Sequence, residues 1–174
     1  MILIISGTNR PSSLTLQIAQ LYQAMLLLKG EAADVLDLQD LPVDFASAAL
    51  YKKEHFSAEF KALRTQVATA HKIVFIVPEY NNSFPGVLKA FIDGLEYPDA
   101  LRNKKGAIVG LSAGGQGGVL AISHLTDVLN YCGLHVLAQK PRLPFLHKHL
   151  ERGKLTLPLY QQLLEEQIEA LLSF

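Results

Sequence analysis

Met1-Ile2-Leu3-Ile4-Ile5-Ser6-Gly7-Thr8-Asn9-Arg10-Pro11-Ser12-Ser13-Leu14-Thr15 is an apolar run that breaks into a loop crowded with hydroxyls and then into a helical pattern. A buried strand that passes into a helix through such a loop aims backbone N–H groups and the positive end of the helix dipole at one point, where an anion belongs. Gly7 permits the tight turn, Thr8, Ser12, Ser13 and Thr15 offer hydroxyls, and Arg10 offers a forked, permanently charged contact to a phosphate. Neither common nucleotide loop is present: the Walker spacing of Gly, four residues, then Gly-Lys and a hydroxyl is missing, and so is G-x-G-x-x-G after the first strand. Many hydroxyls and few glycines suit a terminal phosphomonoester better than a pyrophosphate, which needs close backbone approach. The plainer alternative is a capped strand-to-helix turn, because Ser and Thr are good N-caps anywhere.

Moving outward, short continuous apolar runs recur at residues 2–5, 33–38, 73–77, 107–111 and 134–138, and helical patterns lie at 14–29, 58–71, 86–95, 119–132 and 159–172. Continuous rather than alternating hydrophobicity means burial on both faces, as in a parallel sheet covered by helices. The strict alternation predicts right-handed crossovers and an α/β, doubly wound, three-layer α/β/α architecture. Five strands favour the flavodoxin-like five-stranded parallel sheet, order 2-1-3-4-5, over the six-stranded dinucleotide-binding order. Ligands of such sheets sit beyond the carboxyl ends of the strands at the switch point, so the loops 6–15, 78–85 and 112–118 should converge there.

The length of 174 residues fits one domain, 1–174. Lys plus Arg and Asp plus Glu are 16 each, so there is no basic footprint for nucleic acid or acidic lipid, and small molecules become the expected partners. No apolar run approaches a membrane span, the N-terminus shows no export signal, and the single Cys132 forms neither an intramolecular disulfide nor a metal cluster. The expectation is a cytoplasmic protein with an inert, buried thiol. The longest irregular connection, 41–56, is expected to cover the site or a neighbouring subunit. His147, Lys148, His149, Glu151, Arg152 and Lys154 read as solvated loop charge, not as a metal site.

The second loop, Pro78-Glu79-Tyr80-Asn81-Asn82-Ser83-Phe84-Pro85, should hold backbone N–H and C=O groups out toward a ligand instead of pairing them, with Asn amides and a flat tyrosine beside them. The third, Ser112-Ala113-Gly114-Gly115-Gln116-Gly117-Gly118, lets the chain approach a flat ligand closely and form a nest of N–H donors. Each loop, taken alone, also reads as an ordinary turn.

Together these residues resemble a family. Gly7-Thr8-Asn9-Arg10-Pro11-Ser12-Ser13 is similar to the G-S-x-R-x-x-S phosphate loop of the NADPH-dependent FMN reductases, a flavodoxin-like group that includes quinone, chromate and azo-dye reductases. Pro78-Glu79-Tyr80-Asn81, Pro85-Gly86-Val87-Leu88-Lys89 and Ile92-Asp93 resemble that family's P-E-Y-N, P-G-x-L-K and I-D signature, and the resemblance runs over about residues 1–138. It implies that Thr8, Arg10, Ser13, Leu14 (through its backbone) and Thr15 hold the FMN phosphate. By the same resemblance Pro78, Glu79, Tyr80 and Asn81 line the isoalloxazine ring, and Ser112, Gly114, Gly115 and Gln116 its pyrimidine side. Thr8 stands where the family has Ser, Thr15 where Asn is common, and Gly94-Leu95-Glu96-Tyr97 where an aromatic and a basic residue often follow Asp93. The last departure leaves NADPH and NADH both open as co-substrates.

The function so implied is an NAD(P)H oxidoreductase passing hydride through FMN to a quinone, free flavin or similar acceptor, in a homodimer or homotetramer. Hydride transfer requires no general acid or base from the protein, so none is assigned, and His71 and His124 are read as helix-face residues. The alternatives are a flavodoxin-type electron carrier and a flavin-binding regulatory protein without turnover. Carriers tend to be acidic and to sandwich the ring with Trp and Tyr, whereas this chain has zero net charge and no Trp.

Overall fold

The computed structural model describes residues 1–45 and 56–174; most of the 41–56 connection lies outside the described residues. In chain order the elements are β1 (Ile2–Ser6), α1 (Leu14–Leu28), β2 (Ala33–Asp37), α2 (Ala58–Thr69), β3 (Lys72–Pro78), α3 (Gly86–Asp93), β4 (Lys105–Leu111), α4 (Val119–Tyr131), β5 (His135–Val136), β6 (Arg142–Leu143), β7 (Leu150–Glu151), β8 (Lys154–Leu155) and α5 (Pro158–Ser173). The parallel sheet runs β2-β1-β3-β4-β5, as the spacing of apolar runs predicts, with β6 also paired to β4 and a small β7–β8 hairpin apart from it.

Side-chain alternation divides each strand between two cores. Leu3, Ile5, Ile73, Phe75, Val77 and Ile108 pack with α2, α3 and α4, whereas Ile2, Ile4, Val74, Ile76, Val109 and Leu111 pack with α1 and α5. Both faces of the central strands are therefore dry, which is why their sequences read as unbroken apolar runs. Among the described residues no helix is long and apolar enough to cross a membrane.

The fifth sheet position differs from the expected single strand at 134–138. β5 pairs Lys105 and Gly106 with His135 and Val136, and pairing resumes at Gly110 and Leu111 with Arg142 and Leu143. The chain takes six steps from Val136 to Arg142 against four from Gly106 to Gly110, so two residues bulge out, and Pro141 has no N–H to continue the ladder. A fully buried glutamine fills the gap: Gln167 Nε2 donates to the carbonyls of Ile108 at 3.0 Å and Gln139 at 2.9 Å, and its Oε1 accepts from Tyr22 Oη at 3.2 Å. Burial also pushes the Tyr22 phenol well above its ordinary pKa, so it remains a donor.

Gln167→Leu keeps the volume and orphans three polar groups, of which the Tyr22 hydroxyl and the Ile108 carbonyl are buried. The expected result is a loss of about 2 kcal/mol or more in denaturant unfolding. A variant within about 0.5 kcal/mol of the parent, the range of an ordinary surface change, would mean that the network contributes nothing.

Candidate functional site

The loops after β1, β3 and β4 leave the sheet at its carboxyl edge and meet around a cleft of about 380 Å³. Gly7 opens the first loop, and its N–H donates to Ile76 O at 2.9 Å. A Cβ on Gly7 would stand 2.9 Å from that same oxygen and 3.2 Å from Leu88 Cδ2. Glycine is needed here for close approach to β3, a correction to the turn role read from sequence; the left-handed residue of this loop is Ser12, at φ 52°.

Thr8 is buried beneath the cleft. Its Oγ1 lies 2.7 Å from Tyr80 Oη and accepts from Arg10 N at 3.2 Å, so it pins the first loop to the second. Ser13 caps α1 by accepting from Leu16 N at 3.1 Å, which leaves its own proton free to donate. The N–H groups of Leu14 and Thr15, the first two of α1, have no helical acceptor, because an α-helix leaves its leading N–H groups unpaired. Arg10 lines the cleft, exposed, with no carboxylate partner among the described residues.

The second loop is more tightly paired than its sequence suggests. Glu79 N donates to Leu111 O at 2.9 Å, and Tyr80 and Ser83 exchange both backbone hydrogen bonds, at 2.8 and 3.0 Å. Asn81 and Asn82, at φ 49° and 65°, form the two-residue left-handed turn between them. Asparagine tolerates that conformation, so the Asn-Asn pair makes a tight hairpin in place of open donors. Ser83 Oγ lies 3.0 Å from His124 Nδ1 and ties this turn to α4. Glu79 is left with a buried carboxylate oxygen, Oε2, that has no hydrogen-bond partner, beside the 37% exposed ring of Tyr80.

In the third loop, Ser112 Oγ donates to Gly114 O at 2.8 Å and accepts from Gly117 N at 2.9 Å. Its hydroxyl is consumed in shaping the loop. Gly117 and Gly118, at φ 63° and 75°, supply the left-handed turn into α4.

Of the residues singled out in the sequence, Arg10, Ser13, Leu14, Thr15, Pro78, Glu79, Tyr80 and Ser112 line one cleft. Thr8 lies under it, Asn81 sits on the hairpin turn and Gly114 on the loop outside it, and Gly115 and Gln116 line a neighbouring cavity. The cleft also contains Ala113, from the converging third loop, together with Leu146, which the sequence had not indicated, and His147, which it gave as solvated loop charge. The signal for the last two was β6: its end pairs with Leu111, so the residues that follow it must enter the same crevice. Phe145 N and Leu146 N fasten them there by donating to Gly114 O and Ser112 O, at 3.0 and 3.2 Å. Cys132, at the end of α4, is half-buried where the sequence reading expected a buried thiol, and burial, with the charge of Asp93, pushes its thiol above the ordinary range.

The family model for NADPH-dependent FMN reductase matches residues 1–144. A 2-hydroxy-1,4-benzoquinone reductase of Burkholderia sp is 32% identical over 152 residues, covering 84% of this chain and 78% of the relative. An NAD(P)H-dependent FMN reductase of Pseudomonas aeruginosa is 30% identical over 180 residues, covering 98% of this chain and 92% of the relative. Among solved structures, the flavoenzyme NAD(P)H:(acceptor) oxidoreductase FerB of Paracoccus denitrificans superposes with a TM-score of 0.80 at 21% identity, over 99% of this chain and 94% of that one, which establishes likeness of fold.

Proposed function

This chain belongs to the NADPH-dependent FMN reductase family and is an oxidoreductase that uses FMN and a reduced pyridine nucleotide, and we propose that the cleft at the carboxyl edge of its sheet is where FMN binds and a quinone is reduced. The observation that carries the reading is the pairing of an uncompensated anion cradle with an orphaned acceptor across one cleft. Arg10, the Ser13 hydroxyl and the N–H groups of Leu14 and Thr15 supply a phosphomonoester with a cation and three neutral donors. In the same cleft, Glu79 Oε2 requires a donor, and a flavin ring carries an N–H at its pyrimidine edge.

FMN, when bound, would supply the redox chemistry, relaying from NAD(P)H to the acceptor a hydride, two electrons with one proton, which together with one proton from solvent turns a quinone into a hydroquinone. The chain's own residues bind and orient. Thr8 acts by holding Tyr80, and Pro78, Ala113 and His147, which line the cleft, wall the ring. No side chain is required to move a proton. The acceptor follows from an open, flat face and from the names of the relatives, several of which are quinone reductases. A homodimer or homotetramer in the cytoplasm completes the reading. The support for an oligomer is an exposed aromatic pair, Tyr97 after α3 and Tyr131 at the end of α4, which stack with ring centroids 6.4 Å apart.

Steady-state oxidation of NADPH and NADH, with and without benzoquinone under anaerobic conditions, tests this. We expect turnover that depends on quinone and yields one hydroquinone per nucleotide oxidised. A protein that holds FMN and oxidises neither nucleotide would be a carrier or a regulatory binder instead.

A further inference from the structure

Beyond the wall formed by Gly115 and Gln116 lies a second cavity, of about 470 Å³, in the size range of small-molecule sites. Its lining contributes two cations, Lys140 and Arg142, and no acidic residue. Among the described residues neither cation meets a carboxylate: Lys140 Nζ reaches only Ala138 O, at 3.4 Å. In a chain of zero net charge this is a local excess inside a concavity, and partial burial lowers the Lys140 ammonium below its ordinary pKa. Pro141, Leu157 and Tyr160 add apolar and aromatic surface, and Gln116 and Gln139 neutral polar groups.

The cavity and the cleft share a wall. Ala113 lines the cleft while Gly115 lines the cavity, and Pro144 lines the cavity while Leu146 lines the cleft. The two segments are bonded together through Gly114 O and Ser112 O. The glycine loop also fixes where Arg142 stands: a Cβ on Gly117 would lie 2.8 Å from Arg142 Cβ. A ligand whose reactive ring occupies the open face of the cleft, and which is long enough to cross this wall, ends among Lys140 and Arg142.

A reduced pyridine nucleotide is such a ligand, with a nicotinamide at one end and an adenosine at the other. We propose that the cavity holding Lys140 and Arg142 receives the adenosine end of the nucleotide, with the 2′-phosphate of NADPH between the two cations, and so selects NADPH over NADH; this rests on the reading of the cleft given above. Arg142 offers a fork matched to a phosphate dianion, while the 2′-hydroxyl of NADH presents only a neutral partner. Pro141 and Leu157 give the adenine an apolar surface.

The test is calorimetric titration of the FMN-loaded protein with adenosine 2′,5′-bisphosphate, 5′-AMP and inorganic phosphate, for the parent, Arg142→Ala, Arg142→Lys and Lys140→Ala, alongside NADPH and NADH kinetics. We expect the bisphosphate to bind the parent about tenfold or more tighter than 5′-AMP, Arg142→Ala to abolish that margin, and Arg142→Lys to restore part of it. KM for NADPH should rise about tenfold more than KM for NADH in Arg142→Ala, with kcat for NADPH little altered. The proposal is overturned if the bisphosphate binds no tighter than 5′-AMP or inorganic phosphate, or if Arg142→Ala changes both nucleotides equally. NADPH oxidation with a preference independent of Arg142 would leave the oxidoreductase reading intact and remove this site. Bisphosphate binding that depends on Arg142 in a protein that oxidises neither nucleotide would do the reverse.

Discussion

Replacing Arg10 by Ala weakens FMN binding by about 1.5 to 3 kcal/mol, the range for a hydrogen bond to a charged group, when measured by flavin fluorescence titration of the apoprotein. The loss is selective. Arg10 is exposed and pairs with no carboxylate among the described residues, and its structural contact runs through its backbone N–H to Thr8 Oγ1. Truncating the side chain removes the guanidinium without disturbing that bond, so unfolding should be unchanged within about 0.5 kcal/mol, as for surface changes generally. Binding survives in weakened form because the Leu14 and Thr15 N–H groups and the Ser13 hydroxyl remain. Arg10→Lys should fall between the two, keeping the charge and losing the fork. Affinity unchanged in Arg10→Ala would place the phosphate elsewhere and with it the whole orientation of the ring.

The sheet was legible from sequence because burial on both faces leaves an unmistakable mark: β1, β3 and β4 are runs in which every residue is apolar or glycine over most of their length. The helix starts were legible for a related reason. Ser13 and Ser57 are N-caps whose side chains accept from Leu16 and Phe60, and Pro85 and Pro158 stand at the starts of α3 and α5. The broken fifth strand was not legible, because the break is sustained by Gln167, far along the chain on α5, and a glutamine on a helix carries no sign that it faces a gap in a sheet.

In the site, residue types did not by themselves reveal geometry. Arg10 and Ser13 face the cleft as their chemistry suggests, whereas Asn81 and Asn82 are spent on a left-handed turn and Ser112 on its own loop. Asparagine and serine serve backbone and ligand with the same atoms, and sequence does not reveal which claim wins. Leu146 went unnoticed, and His147 was read as solvated loop charge, for a different reason. Composition places neither at the site, and only the pairing of β6 beside β4 brings them to the cleft.

Gly7→Ala is the sharper test of how the cradle is built, because the same substitution at Gly86 provides an internal contrast. At Gly86, the first residue of α3, an added Cβ meets nothing within 4 Å, and Ala there is expected to be neutral or to stabilise by roughly 0.5 kcal/mol through the reduced entropy of the unfolded chain. At Gly7 the Cβ meets Ile76 O at 2.9 Å, a backbone atom that no rotamer change can move and the very acceptor of the Gly7 N–H. Relief requires the β1 end to draw away from β3, which stretches that hydrogen bond and presses on Leu88. Overpacking and a weakened buried bond together should cost about 2 to 3 kcal/mol in unfolding. The displacement acts at the root of the loop that carries Thr8, Arg10 and Ser13, so FMN affinity should fall even in the fraction that is folded. Thermal unfolding of the apoprotein and flavin titration separate the two effects. If Gly7→Ala lost stability but bound FMN as tightly as Gly86→Ala, the cradle would be a self-supporting loop, and its link to β3 through Gly7 would have no part in shaping it.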